Sequence, residues 1–157
     1  MIENIKIRKA EPKDVKIILN LIKELAEYEK LLDKVTATED KLINTIFGKD
    51  KLVEVWLAEI EDEVAGQVIF FRNFSTFLAQ PGLYIEDIYV RPQFRGKGIG
   101  KKLLNKVIDF SAEKNYGRVE WCVLNWNEPA IDFYKKIGAV SMDEWMTFRL
   151  TEEKFDS

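Results

Sequence analysis

The sequence predicts an α/β fold, and three observations carry that reading. Apolar residues recur at helical spacing in three stretches, 15–25, 42–46 and 99–108. Runs rich in Val, Ile, Phe and Tyr, bounded by polar or Pro/Gly turns, lie between and after them. No repeat, low-complexity tract or linker divides the 157 residues, so one domain spanning 1–157 is the economical organisation.

Taken in order, residues 5–8 read as a first strand. Pro12 opens a helix, where its missing N–H costs nothing. Val15, Ile18, Leu19, Ile22 and Leu25 form its buried face, and it fades near Tyr28 and Glu29. Thr36 and Glu39 have capping-box spacing and start a short helix carrying Leu42, Ile43 and Ile46, with Gly48 as its stop. Residues 52–60 and 64–71 read as two strands around the polar turn 61–63. A loop over 73–82 precedes a third strand at 83–90, which Pro92 ends. A strong helix follows from Ile99, then a strand at 118–124. A short helix at 127–136 is closed by Gly138, and a final strand is expected at 145–150.

Composition narrows the chemistry. At 46% hydrophobic and 32% charged, the chain can bury a core under a wettable surface. The net charge of -3 lacks the basic surplus of a nucleic-acid binder. No apolar run has the length of a membrane span and the amino terminus lacks a secretion signal, so the cytosol is the expected location. There is no histidine, which removes Ser-His-Asp and Cys-His catalysis and His-based metal sites. Proton transfer is left to carboxylates, Tyr, Lys, Cys or water. The one cysteine, Cys122, sits in an apolar run and reads as buried packing; residues 119–124 read mainly as sheet core.

The most informative segment is Val90-Arg91-Pro92-Gln93-Phe94-Arg95-Gly96-Lys97-Gly98-Ile99-Gly100. A strand ends, three glycines follow at alternate positions, and a helix begins. Glycine lets backbone N–H groups converge, and a helix amino terminus adds unpaired donors and positive dipole. The combination suits a pyrophosphate, with Lys97 and Lys101 adding charge. It is neither a P-loop nor a dinucleotide fingerprint, because the required Gly-Lys-Ser/Thr and glycine spacing are absent. A turn serving only chain reversal is the alternative.

Arg95-x-x-Gly98-x-Gly100, preceded by Val90-x-Pro92, resembles the signature of the GNAT superfamily of N-acetyltransferases. Asn127-Glu128-Pro129-Ala130-Ile131-Asp132-Phe133-Tyr134 is similar to that family's Asn-x-x-Ala-x-x-Phe-Tyr segment. Residues 21–29, 84–87 and 126–129 resemble the diamine (spermidine/spermine) and thialysine acetyltransferase group. The resemblance implies a single α+β domain, with a mostly antiparallel mixed central sheet flanked by about four helices. It implies acetyl-CoA as cofactor, direct transfer to a primary amine in a ternary complex, and a homodimer built near residues 145–150.

Residue roles follow on the same footing. An alkylamine has a pKa of about 10.4, so about one molecule in 2,500 is neutral at pH 7. The enzyme must bind a cation and remove a proton. Without histidine, a carboxylate acting directly or through water is the natural base. Glu86 is the candidate, with Asp87 beside it on the same strand; neighbours on a strand face opposite ways unless a bulge intervenes. By resemblance, a backbone N–H among Ile88, Tyr89 and Val90 serves the oxyanion, and that edge pairs the pantetheine arm. The pyrophosphate falls to Arg95, Gly96, Lys97, Gly98, Ile99, Gly100 and Lys101. Asn127, Ala130 and Tyr134 complete the cofactor contacts, with Tyr134 as general acid. Asn127 and Tyr134 are seven residues apart, about two helical turns. Tyr28 and Glu29 frame the cationic substrate, and Asp143, Glu144 and Trp145 add an acidic and aromatic wall. Each position also has a plainer reading: rim charges at Glu86 and Asp87, packing at Tyr134, a helix cap at Asn127, a solvated helix end at Tyr28 and Glu29, and a surface turn at 143–145. A protein or amino-sugar acceptor, or a non-catalytic acyl-CoA-binding module, also fits the sequence.

Overall fold

A computed structural model describes residues 4–156. The chain divides into two compact units, the first ending at Cys122 and the second beginning at Val123. The first holds β1 (Ile5–Lys9), α1 (Val15–Tyr28), α2 (Glu39–Ile46), β2 (Glu54–Ile60), β3 (Glu63–Ser75), β4 (Gln80–Val90), α3 (Ile99–Glu113) and β5 (Val119–Trp121). The second holds α4 (Glu128–Lys136). The sheet runs β1-β2-β3-β4-β5, antiparallel except for the parallel β4/β5 pair. The expected α+β architecture, a mostly antiparallel mixed sheet with four α-helices, is present.

Pro12 opens a single 3-10 turn, Pro12–Asp14, that leads into α1. Asp14 fixes this entry. It is buried, accepts the Arg8 guanidinium through both oxygens at 2.8 Å, and accepts the Glu11 N–H at 2.8 Å. The Arg8 hydrogen bonds hold its carboxyl below the usual range, against the opposing effect of burial. Arg8 also bonds Glu59 on β2, so one guanidinium ties β1, β2 and the start of α1. Ile18 and Leu21 of α1 are fully buried, each contributing about 1.5–3 kcal/mol. Ile18 joins Ala10, Ile46, Val55, Leu57 and Ile69 in a core between the helices and the sheet.

β2 and β3 form a tight hairpin. Glu61 and Asp62 both have positive φ, 50° and 64°, the arrangement whose twist matches two antiparallel strands. On the opposite sheet face, Phe70 meets Phe110 of α3 edge-on at 5.7 Å. Leu103, Leu104 and Val107 of α3 are buried.

Several expectations need correction. α2 starts at Glu39, and its cap is Thr38, whose hydroxyl accepts the Lys41 N–H at 3.2 Å; Thr36 is too early for that role. The expected 73–82 loop shrinks to four residues, because β3 continues to Ser75 and β4 starts at Gln80. β5 spans three residues instead of 118–124. Cys122, expected to be buried, is exposed just beyond β5, and Val123 is exposed as well. The expected final strand at 145–150 is not a strand.

In the second unit, Asn127 stands at the amino-terminal cap position of α4. Gly138, at φ +95°, ends it. The Ala139 N–H bonds the Tyr134 carbonyl and the Gly138 N–H bonds the Lys135 carbonyl, both at 3.1 Å, a Schellman closure.

Candidate active site

In the first unit, β4 is irregular. Ile69 on β3 faces Asp87, yet the next residue, Phe70, faces Ile85. Glu86 is therefore an extra residue, a β-bulge. Before the bulge, Tyr84 lies opposite Phe71, their rings 5.3 Å apart. After it, Asp87 and Tyr89 lie opposite Ile69 and Gln67. Paired residues share a sheet face, so the bulge puts Tyr84, Asp87 and Tyr89 on the α1 side and leaves Glu86 exposed.

The acidic residues act on one another. Burial first, and then the charges of Glu86 and Glu29, together push the Asp87 carboxyl up to about 6; no cation is among the causes. Glu29, the residue that caps the carboxyl end of α1, is itself raised by burial. A helix carboxyl end favours cations, yet α1 has no basic residue in its last turn. Glu29, Glu86 and Asp87 thus form an acidic field into which an ammonium would fit.

The Asp87 shift has a stability consequence. Folding raises its pKa above the ordinary value near 4. The favourable contribution is therefore complete below pH 4 and is lost as pH rises through about 6. Asp87→Asn removes that loss. After discounting for partial exposure, the variant is more stable at pH 8 by about 1–2 kcal/mol, a Tm higher by about 4 °C, with the gap closing below pH 4. Thermal melts of both proteins across this range check it; equal Tm values at pH 8 refute the shift.

Beyond Asp87 the strand enters the glycine turn. Pro92–Phe94 form a 3-10 turn, and Gly96 and Gly98 both take φ 81°, a conformation costly for any residue with a side chain. A Cβ built on either glycine meets nothing within 4 Å, so the turn borders open space. The Lys102 N–H bonds the Gly98 carbonyl at 3.1 Å, leaving the amides of Ile99, Gly100 and Lys101 as the first-turn donors of α3. Main-chain amides of a glycine turn, a helix amino terminus and flanking Lys97 and Lys101 are the donor set that a diphosphate requires, so the residues present fit one.

β4 pairs with β5 only through Leu83, Tyr84 and Ile85. From Glu86 to Val90 that side of β4 has no ladder partner in β5. This is the edge on which Ile88, Tyr89 and Val90 were expected to pair an extended cofactor arm.

Arginines join this edge to α1. The Arg91 fork bonds the Glu24 carboxylate at 3.1–3.3 Å. The Arg95 guanidinium lies 5.3 Å from the Tyr28 ring centroid and 5.7 Å from that of Tyr89. Sequence reasoning missed Glu24, although its place four residues before Tyr28 put both on one helix face. It also missed Tyr84, whose hydroxyl is hydrogen-bonded to Cys122 Sγ at 2.8 Å. Burial is the main cause that raises the Tyr84 phenol, ahead of that bond.

The remaining expected residues lie in the second unit. Asn127 and Tyr134 are the cap residue and the third-last residue of α4, with Ala130 between them. The Tyr134 ring is 5.7 Å from that of Phe133. Asp143 and Glu144 lie in a turn, where Asp143 accepts the Ser141 hydroxyl, and the Trp145 N–H bonds the Met142 carbonyl at 3.1 Å. Trp145 is exposed. Among the described residues, no helix is long and apolar enough to cross a membrane, and no group of His, Cys, Asp or Glu could hold a metal.

A sheet whose fourth strand opens beyond a bulge and feeds a glycine turn is the frame of an acyltransferase. The chain belongs to the acetyltransferase (GNAT) family, which it matches over residues 18–139. It is similar to the thialysine N-epsilon-acetyltransferase of Bos taurus, at 38% identity covering 94% of this chain and 92% of that protein. It is also similar to the L-ornithine N5-acetyltransferase NATA1 of Arabidopsis thaliana, at 36% identity covering 93% and 84%. Among solved structures, an integron cassette protein of V. cholerae superposes with a TM-score of 0.79 at 27% identity, covering 94% of this chain and 92% of that one. The resemblance of the glycine turn to GNAT proteins thus extends over the chain, and the protein is an N-acetyltransferase.

Proposed function

We propose that this enzyme transfers an acetyl group from acetyl-CoA to the terminal primary amine of a small cationic acceptor, a lysine-like amino acid or a polyamine, directly within a ternary complex. The observation that carries the acceptor class is the Asp87 carboxyl, raised to about 6 by burial and by Glu86 and Glu29 with no cation to offset them. An ammonium placed there relieves all three. The two curated relatives act, by their names, on the terminal amines of thialysine and ornithine, which fits the same chemistry.

Acetyl-CoA, when bound, supplies the activated thioester. Gly96, Gly98, Ile99, Gly100 and Lys101 offer main-chain donors to its diphosphate, with Arg95 and Lys97 adding charge. Ile88, Tyr89 and Val90 offer an open strand edge to its extended arm. Asp87 and Glu29, with Tyr28, hold the acceptor's ammonium. Glu86, projected by the bulge, takes the proton directly or through water. Asn127 and Ala130 are assigned to the cofactor and Tyr134 to protonation of the departing thiolate. Glu144 and Trp145 are assigned to the acceptor's far end.

Residues 1–157 work in this reading as one acetyltransferase domain, since the family match runs across residue 122. We place the enzyme in the cytosol, where an exposed free Cys122 stays reduced. We also assign a homodimer. Val140, Met142, Trp145, Met146, Phe148 and Leu150 are each more than half exposed, and a second copy is the partner that would cover them.

The test is a panel of thialysine, ornithine, spermidine, an amino sugar and a peptide, assayed with acetyl-CoA for thiol release. Turnover of the first three, with the last two inert, is the expected result. Acetylation of the peptide or the sugar alone overturns the acceptor class, and failure to bind coenzyme A in calorimetry overturns the cofactor assignment.

A further inference from the structure

We propose that Arg95 is a positioning residue that couples the glycine turn to the acceptor end of α1, so that cofactor and amine bind synergistically. This rests on the proposed function above and adds a connection between its two halves. Glu24 and Tyr28 lie four residues apart on one face of α1. Arg91 and Arg95, also four apart, flank the turn Pro92–Phe94. The two pairs form two rungs. In the first, the Arg91 fork grips Glu24, Tyr89 Oη donates to Glu24 Oε1 at 3.4 Å, and Arg91 Nη1 donates to the Val64 carbonyl at 3.2 Å. Arg91 is mostly buried, so this rung is a fixed brace.

The second rung differs. Arg95 Nε donates to the Val90 carbonyl at 2.9 Å, and its guanidinium lies near the rings of both Tyr28 and Tyr89. Arg95 is exposed and Tyr28 is 40% exposed, so the contact is a weak, adjustable cation–π stack. It adjoins Gly96, the first glycine of the turn. An anion gripped by the turn's amides immobilises the Arg95 backbone, and with it the guanidinium and the Tyr28 ring. Tyr28 precedes Glu29, whose charge acts on Asp87. Ordering therefore passes from turn to acceptor site through one side chain. A ligand that has already incurred this ordering cost lowers it for the second, and the effect is reciprocal.

Hydrogen exchange on the full chain tests it, with coenzyme A as the only probe. The amides at 29, 30 and 31 bond the carbonyls of Leu25, Glu27 and Ala26, so their exchange is measurable. Coenzyme A is expected to slow exchange at 96–101 and, by about fivefold, at 29–31. Tyr28→Leu, which leaves every residue of the turn in place, should retain the first effect and lose the second, whereas Tyr28→Phe keeps the ring and should retain both. Arg95→Met, which keeps the aliphatic stem but removes a charge assigned to the diphosphate, is compared at saturating coenzyme A and should lose the protection at 29–31. Protection at 29–31 that is absent from the wild type, or that survives both Tyr28→Leu and Arg95→Met, overturns the coupling. No protection at 96–101 in the wild type instead overturns the cofactor assignment, and the coupling with it.

Discussion

Glu86→Gln lowers kcat at pH 7 by about 100- to 1,000-fold, the usual contribution of a positioned general base. The expectation comes from the acceptor's own chemistry. At pH 7 about one alkylamine in 2,500 is neutral, whereas at pH 9 about one in 25 is. A variant without a base depends on that neutral fraction, so its deficit should shrink steeply between these values. Gln keeps the length and the exposed bulge position of Glu86 but accepts no proton, so a loss that persists undiminished to pH 9 points to geometry instead. Steady-state rates of wild type and variant from pH 6.5 to 9.5 make the comparison. Unchanged kcat at pH 7 removes Glu86 from proton transfer and leaves Asp87, with its carboxyl near 6, as the group to examine.

Tyr134→Phe is the second large effect, with kcat reduced by about 100-fold and affinity for coenzyme A changed by less than about threefold. A thiolate whose thiol has a pKa of about 8.5 leaves more readily if a proton arrives with it, and a phenol near 10 can supply one. The substitution is discriminating because it keeps the ring. Any packing of Tyr134 against Phe133, 5.7 Å away, survives, so a melt separates lost chemistry from the loss of any bond that the hydroxyl makes. A calorimetric titration and a melt accompany the kinetics. Full turnover in the variant removes Tyr134 from the mechanism.

Periodicity made α1, α2 and α3 legible, since their buried faces recur locally. It was less accurate on which residues lie deepest. Leu21 and Ala26 are buried, whereas Val15 and Leu25, expected on the buried face, are only half-buried; the sheet against which α1 packs decides this. The hairpin of β3 and β4 was underestimated because Pro81 reads as a breaker. Leu83 N–H bonds the Arg118 carbonyl on the β5 side. Pro81, two residues earlier, points its nitrogen the same way before the ladder with β5 begins, so it forfeits no hydrogen bond. Residues 145–150 alternate like a strand, but a strand exists only when another backbone pairs with it, and local sequence carries no such information.

At the site, the glycine turn was legible because its need for positive φ is written in residue identity. The bulge was recognised only as a possibility, since it is a mismatch between two strands and no residue type marks it. The Glu24–Arg91 and Arg95–Tyr28 contacts join residues more than sixty positions apart, beyond the reach of any local pattern.

The extra residue at position 86 has one more consequence. Along β4, even-numbered side chains face α1 up to Tyr84 and odd-numbered ones from Asp87 onward. Which carboxyl is enclosed and which projects is therefore set by the number of residues between two anchored points as much as by their identity. Deleting one residue from this segment would leave the remaining composition almost intact and put its acids in the wrong phase, while exchanging Asp for Glu within it would preserve the phase. In this strand, length sets the face on which each acid lies.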